Sequence, residues 1–569
     1  MASDTTWTAR RTRVMNRVHA RLAGRGRTMT AFVSAPEPRS TGRVARGRQL
    51  LAGNFLFAGR LIQAPGASIW DVCADDPAFA AAVQGCTWLD DLAAVGDGRA
   101  RATAQAWIAD WIARHDRGRG PGWTPDLTGR RLIRWINHAL FVLQGQDRDA
   151  CDAFYRSLAR QTDFLSRRWH AAAPGLPRFE ALTGLIHAGL SLEGLDAEVA
   201  TATEALAREC DTRIGPDGGI DSRNPEELLE IFTLLTWAAH ALDHAGRAHG
   251  AGHEAAMQRI APVLRALRHS DGALARFHGG GRGLEGRLDR ALADAGVRRT
   301  GGRDLNMGYL RLTAGRTSIV ADAAAPPRGP DGHAATLAFE LTSGRRPLIV
   351  NCGSGASFGA DWRRAGRATP SHSTLGIDGH SSSRLDAAGR IADGTREVLF
   401  ELHEMQGALR AEIAHDGWRR THGLTHARTL DVSLDGRTLS GEDMLTTLDD
   451  ADAARFDAAF HAGPPDGIAF SVRFHLHPDV DASVDLGGAA ISLGLKSGEI
   501  WILRAEGAER MRLEPSVYLE RGRLAPRAAT QVVLTGRAMA YATRVRWTLA
   551  KAQGTPDGVR DTVPPTPDE

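Results

Sequence analysis

The feature that most constrains this chain is a change of pattern near residue 300. Before it, apolar residues recur at helical spacing. Trp107, Ile108, Trp111 and Ile112 form one such set, and Leu132, Ile133, Ile136, Leu140 and Val142 another. Further amphipathic stretches cover 151–169, 178–194, 196–212, 225–245 and 253–268. Turns such as Pro174-Gly175 and Gly215-Pro216-Asp217-Gly218-Gly219 separate them. Successive helical hairpins of this kind predict an α/α toroid or bundle. After residue 300 come short runs rich in Val, Ile, Leu and Phe, among them Thr317–Ala321, Thr336–Leu341, Leu348–Asn351, Glu397–Leu402 and Ile468–Leu476. Asp435-Gly436 between two such runs predicts a hairpin turn. Many short strands with few helices indicate an antiparallel β-sandwich. The expected layout is a basic N-terminal arm (1–40), a toroid (41–295), a sandwich (300–550) and a disordered tail (551–569), with the boundary in the Gly- and Arg-rich stretch 294–303.

Composition narrows the function classes. A chain of 569 residues exceeds one ordinary core. A net charge of +3 gives no electrostatic case for nucleic acid. The five cysteines are scattered without a CxxC pair, which is neither a zinc-ribbon pattern nor a disulfide framework. No apolar run is long enough for an integral membrane helix. The Arg-rich start lacks the apolar core of a signal peptide, so a cytoplasmic location is the default expectation.

Five constellations carry candidate chemistry. On a helix, Arg131, Arg134, Trp135 and His138 lie three or four apart and share a face, with Asn137 beside them. Trp stacking on a sugar ring and Arg binding an acidic group would line a glycan groove; a plain solvated face is the alternative. In Asp221-Ser222-Arg223-Asn224-Pro225-Glu226-Glu227, Asn224 is a good helix cap, Pro225 suits the first turn, and Glu227 completes a capping-box-like start. Capping leaves Arg223 unexplained, so Arg223 is a candidate for an anionic ligand. The third constellation, Arg276-Phe277-His278-Gly279-Gly280-Gly281, permits tight turns near a ligand or is a linker. The fourth sets His333, Asn351 and His372 on neighbouring strand segments, where a metal or proton-transfer site could form. The fifth, His415 with His426 and the His475/His477 pair, offers a second metal or polar cluster.

At these residues the sequence resembles the heparinase II/III-like family of polysaccharide-lyase-type proteins. The matching stretches are His333-Ala334-Ala335-Thr336-Leu337-Ala338-Phe339-Glu340, Ile349-Val350-Asn351-Cys352-Gly353 and His372-Ser373-Thr374, continuing through His415–Trp418 and His426-Ala427-Arg428. The resemblance implies β-elimination on an acidic, uronate-containing polysaccharide, and a common periplasmic setting. It also implies a zinc site at the positions of His333, Asn351 and His372, where this chain has Asn in place of the family's Asp. The family's catalytic histidine position holds Asp331, and its catalytic tyrosine position holds Glu227.

Elimination removes the proton at C5 of a uronate and expels the 4-linked oxygen. It needs a base, an acid and a group that neutralises the carboxylate. The expected catalytic set is His138, Arg223, Glu227 and His372, with Arg131, Arg134, Trp135, Asn137, Asn224 and His278 holding the sugar. Two other readings stand beside it: a divergent glycan-binding or envelope-polysaccharide-handling protein on the same fold, and a hydrolase using carboxylates such as Asp221 and Glu226.

Overall fold

The computed structural model describes residues 2–23, 31–34, 38–72, 76–299, 302 and 304–553. Two compact units account for it. The first comprises residues 1–216, 229–261 and 287–298, and the second 217–228, 262–286 and 299–569.

The first unit is almost wholly helical. Its principal helices include Gly98–His115, Pro125–Asn137, Arg148–Arg168, Leu176–Ser191 and Asp196–Arg213. Several start on sequence-encoded caps: Asp97 accepts from the Ala100 N–H, and Asp147 from the Ala150 N–H. The core is aromatic. Trp111 meets Trp135 edge-on at 5.3 Å, and Trp135 stacks on Phe154 at 5.4 Å. The Arg-rich start, read from sequence as an arm, is a helix over Ala2–Leu22; its Asn16 is buried and accepts from Arg168 Nε at 2.9 Å. Leu140, expected in the core, is 79% exposed, because the helix breaks at His138 before Ala139–Leu143 begins.

Helices Pro125–Asn137 and Leu176–Ser191 cross closely at Gly129 and Gly184. A Cβ at Gly184 would fall on the backbone of Gly129, and one at Gly129 on the backbone of Glu180 and Ala181. Gly184→Ala is therefore expected to lower stability by about 1–3 kcal/mol, read from the denaturation midpoint of the first unit. An unchanged midpoint would show that the crossing can open freely.

The second unit is built on two antiparallel sheets. One runs in the order Val398–Met405, Ala408–Trp418, Leu424–Ser433, Thr438–Thr446, Ala542–Lys551, Ile500–Glu506, Ala490–Gly494, Asp481–Asp485. The other runs Arg510–Tyr518, Arg527–Ala538, Ile468–Leu476, Arg346–Val350, Phe339–Ser343, Thr317–Asp322, Tyr309–Ala314, with Leu375–Ile377 added on Ile468–Leu476. Inward residues of both sheets form one core. Phe339 stacks flat on Trp547 at 5.9 Å, and Phe474 meets the same indole edge-on at 4.8 Å. The sandwich-like arrangement agrees with the sequence reading, as does the Asp435-Gly436 turn. Gly436 there has φ of 68°, and its N–H donates to Ser433 O at 2.8 Å.

No described helix is long and apolar enough to cross a membrane. Cys86, Cys151, Cys210 and Cys352 are free thiols; Cys73 and residues 554–569, which hold most of the expected disordered tail, lie outside the described residues.

Candidate functional site

The second unit gathers Arg223, His278, His333 and His372 around one buried carboxylate, Asp322. Asp322 ends the fully buried strand Thr317–Asp322 and is itself inaccessible. Its Oδ1 accepts from Arg223 Nη2 at 2.5 Å, and its Oδ2 lies 3.2 Å from His278 Nε2. Burial alone would push this carboxyl up. The Arg223 charge and the His278 hydrogen bond outweigh burial and hold it below the usual carboxylate range.

Arg223 has no capacity left for a ligand. Nε donates to Met307 O, Nη1 to Ala324 O and Ala325 O, and Nη2 to Gly308 O and Asp322. Those are five acceptors for a group with five N–H donors. The guanidinium also lies 4.6 Å over the Tyr309 ring, and the Tyr309 hydroxyl donates to Arg223 O at 2.5 Å. Backbone geometry makes this possible: Arg223 sits at φ of 49°, a left-handed conformation uncommon for a non-glycine residue. The carboxylate-neutralising role expected for Arg223 is corrected. It is an internal anchor.

His278 is likewise internal. It is fully buried at φ of 44°, and its Nδ1 accepts the His333 N–H at 3.1 Å, which puts the ring proton on Nε2 facing Asp322. A sugar contact through this ring is excluded by its burial.

His372 Nδ1 faces Ala368 O at 2.9 Å and so carries a proton. Its Nε2 then accepts from His333 Nδ1 at 3.1 Å. Burial, before any neighbour, pulls His372 down to about 3 and His333 well below its usual range, so both are neutral imidazoles at neutral pH. As a catalytic residue His372 is thus shielded by its partners.

The expected zinc ligands do not close a set. His333 and His372 supply two nitrogens, but Asn351 does not supply the third donor. Its Oδ1 accepts the Ser373 N–H at 3.0 Å, and its Nδ2 points to Glu340 Oε1 at 3.4 Å. An amide in the place of a carboxylate has turned to satisfy the backbone instead. No His, Cys, Asp or Glu group in this neighbourhood completes three donors among the described residues. The residues present do not fit a zinc ion.

Asn224 caps the helix Pro225–His244, its oxygen accepting the N–H groups of Glu226 and Glu227 at 3.0 and 3.2 Å. Capping, rather than a sugar contact, explains it. Glu226 accepts Gly281 N–H and pairs with Arg521 at 2.7 Å, which removes it as a hydrolytic carboxylate. Glu227 is the one member of the expected catalytic set left without a structural duty of this kind. Burial raises its carboxyl, a hydrogen bond from Ser222 opposes that, and the charge of Asp331 adds to the rise. Asp331 itself is half exposed and pairs with Arg363 at 3.1 Å.

The remaining candidates lie in the first unit and are buried, not displayed. Arg131 is inaccessible and sits 4.2 Å over Trp111, donating to Gln161 Oε1, Gln84 O and Gly122 O. Burial pulls it down to about 10. Trp135 is fully enclosed. Arg134 and His138 both meet Asp90, at 3.4 and 2.8 Å. The expected ligand-facing surface on this helix is corrected: aromatic packing consumes it. Asn137 and His138 do line a largely apolar pocket of about 570 Å³ with Asp90, Phe32, Phe141 and Tyr155. Within it Asn137 Oδ1 has no partner.

The fifth constellation is a buried network. His426 lies 3.3 Å from His415 and 2.8 Å from Asp443, and Arg428 forks onto Asp443 at 2.8 and 3.0 Å. His475 pairs with Ser516 and Pro370 O. Sequence reasoning missed the carboxylates at the centre of each cluster, Asp322 and Asp443. Asp443 was findable: in the strand Thr438–Thr446, alternation puts it on the inward face with Leu439 and Leu445.

Comparison with known proteins agrees with the architecture. A family model described as "Heparinase II/III-like, C-terminal" matches residues 299–548. FtsZ-localized protein C of Caulobacter vibrioides (strain NA1000 / CB15N) is 31% identical over 528 residues, covering 90% of this chain and 88% of that protein. The crystal structure of heparinase III superposes with a TM-score of 0.69 at 14% identity, over 94% of this chain and 88% of the other. A mutant of the heparan sulfate lyase HepC of Pedobacter heparinus gives 0.59 at 14% identity, over 92% and 85%. The two crystal structures show a shared fold; with the family model and the 31% identical relative, they place this chain in the heparinase II/III-like family.

Proposed function

We propose that this protein binds a cell-envelope glycan on the heparinase-type fold without cleaving it by β-elimination. The observation that carries this reading is the full engagement of Arg223. The cation expected from the sequence to neutralise a uronate carboxylate donates all its hydrogen bonds within its own unit. Elimination without such a cation leaves the developing enolate charge uncompensated. The exchange of the family's tyrosine and histidine for Glu227 and Asp331 points the same way. A relative named for its localisation with FtsZ supports a ligand laid down where cells divide.

The lyase reading makes the opposite forecast, so one experiment separates them. The full chain is incubated with uronate-containing polysaccharides, bacterial exopolysaccharides and isolated cell-wall material. Bound protein is measured by co-sedimentation and unsaturated ends by ultraviolet absorbance. Binding to at least one glycan with no unsaturated ends is expected. Unsaturated ends would establish a lyase, and no binding across the panel would remove the glycan assignment.

A further inference from the structure

The two-strand edge Val398–Met405 and Ala408–Trp418 carries a set of side chains that neither the family resemblance nor the site above uses. Glu401 stands directly opposite Glu412 in the antiparallel register. His403 is two residues along from Glu401 and so projects from the same face. Two like charges facing each other across strands repel and destabilise the pair. Yet the ligand atoms of Glu401, His403 and Glu412 all lie within 4.8 Å of one another, and His403 Nε2 is 3.2 Å from Glu401 Oε2. All three side chains are solvent-accessible, so each can rotate to close on an ion.

We propose that Glu401, His403 and Glu412 form a surface site for a divalent transition-metal ion of the zinc type. One imidazole nitrogen and two carboxylates are a borderline donor set that suits zinc better than calcium or magnesium, which favour all-oxygen cages. The nearest competing cation is Arg410, which stands opposite His403 in the register. Its fork is committed to Asp431 at 2.7 and 2.8 Å, and its Nη1 reaches only to 3.8 Å from Glu412. Arg410 therefore softens the repulsion without filling the position.

Three protein ligands leave a tetrahedral ion at least one open position. Glu412 also lines a polar hollow of about 700 Å³ on the outer face of this sheet, with Arg410, Asp431, Glu442, Arg504 and Arg546. An ion held by Glu412 would stand at the rim of that hollow and offer its open position to a carboxylate or phosphate oxygen entering it.

Isothermal titration of the full chain with zinc chloride tests the site directly. One equivalent is expected to bind saturably in wild type, and His403→Ala and Glu412→Gln are each expected to weaken it by at least about tenfold. Thermal midpoints of the metal-free variants, equal to wild type, would show that the loss is not unfolding. His461→Ala, at an exposed histidine elsewhere, is the control and should leave the isotherm unchanged. No saturable binding in wild type, unaltered affinity in His403→Ala, or an equal loss in His461→Ala would each overturn the proposal.

Discussion

Replacing Arg223 by alanine is expected to destabilise the second unit by about 3–5 kcal/mol, the cost of leaving one partner of a buried ion pair without the other. Asp322 is wholly inaccessible and would keep only His278 and the Ala324 N–H, the latter at 3.4 Å, as partners. The backbone carbonyls of Met307, Ala324 and Ala325 would lose this donor at the same time, while Gly308 O would keep the Ala323 N–H. Arg223→Lys should recover little, since one ammonium cannot reproduce a planar five-donor fork. Arg223→Ala with Asp322→Asn should be milder than Arg223→Ala alone, because the orphaned charge is gone. Urea denaturation of the three variants measures this. A loss below about 0.5 kcal/mol in Arg223→Ala would mean that the guanidinium is dispensable to the fold, and would reopen it as a ligand group.

Acid should unfold this protein from an unusually high starting point. Burial, the leading cause in each case, brings His187 and His253 of the first unit to about 4, and His475 and His372 of the second to about 4 and about 3. In the unfolded chain each titrates near 6.5. Above 6.5 both states are neutral and the full stability is present. As pH falls below 6.5 the unfolded chain takes up protons that the folded chain refuses, and stability is lost until the folded values are reached. Each histidine contributes a loss on the order of 3 kcal/mol across that window. Thermal midpoints of both units should therefore drop steeply between pH 6.5 and 4, well above the range where carboxylates alone would act. Replacing His187 by glutamine should flatten the profile of the first unit selectively. Midpoints that hold level from pH 7 to 5 would contradict the burial of these rings as neutral groups.

The fold was legible because both halves carry their period openly. Helices fell close to the spacing-based segments, and Ile468–Leu476 matched its strand to the residue. The site was legible only as a set of positions. Arg131, Arg134 and Trp135 sit at amphipathic spacing, and spacing cannot tell a solvent face from a second packed face when helices bury both sides. Trp111 under the guanidinium of Arg131 is 20 residues away in sequence, and nothing local announces it. For Arg223 and His278 the obstacle was different. Their roles depend on Asp322 and on carbonyls near residues 307 and 324, which lie 84 to 102 positions from Arg223. Asn351 was legible in part: the loss of the carboxylate was visible, while its reassignment to the Ser373 N–H depends on a contact 22 residues away.

The way the chain is parcelled between its units bears on how it can be cut. The region that matches the C-terminal family model begins at residue 299, but two acidic side chains in it find their counterparts upstream. Asp322 relies on Arg223 and His278, and Glu340 on His269 and the Arg276 N–H, at 3.1 Å each. A gene fragment opening at 299 would encode every strand of the sandwich and still remove the charged partners of both carboxylates, leaving Asp322 to the Ala324 N–H and Glu340 to Asn351. Such a fragment would be recovered as aggregate, and the same sandwich becomes a tractable object only when the stretches 217–228 and 262–286 travel with it.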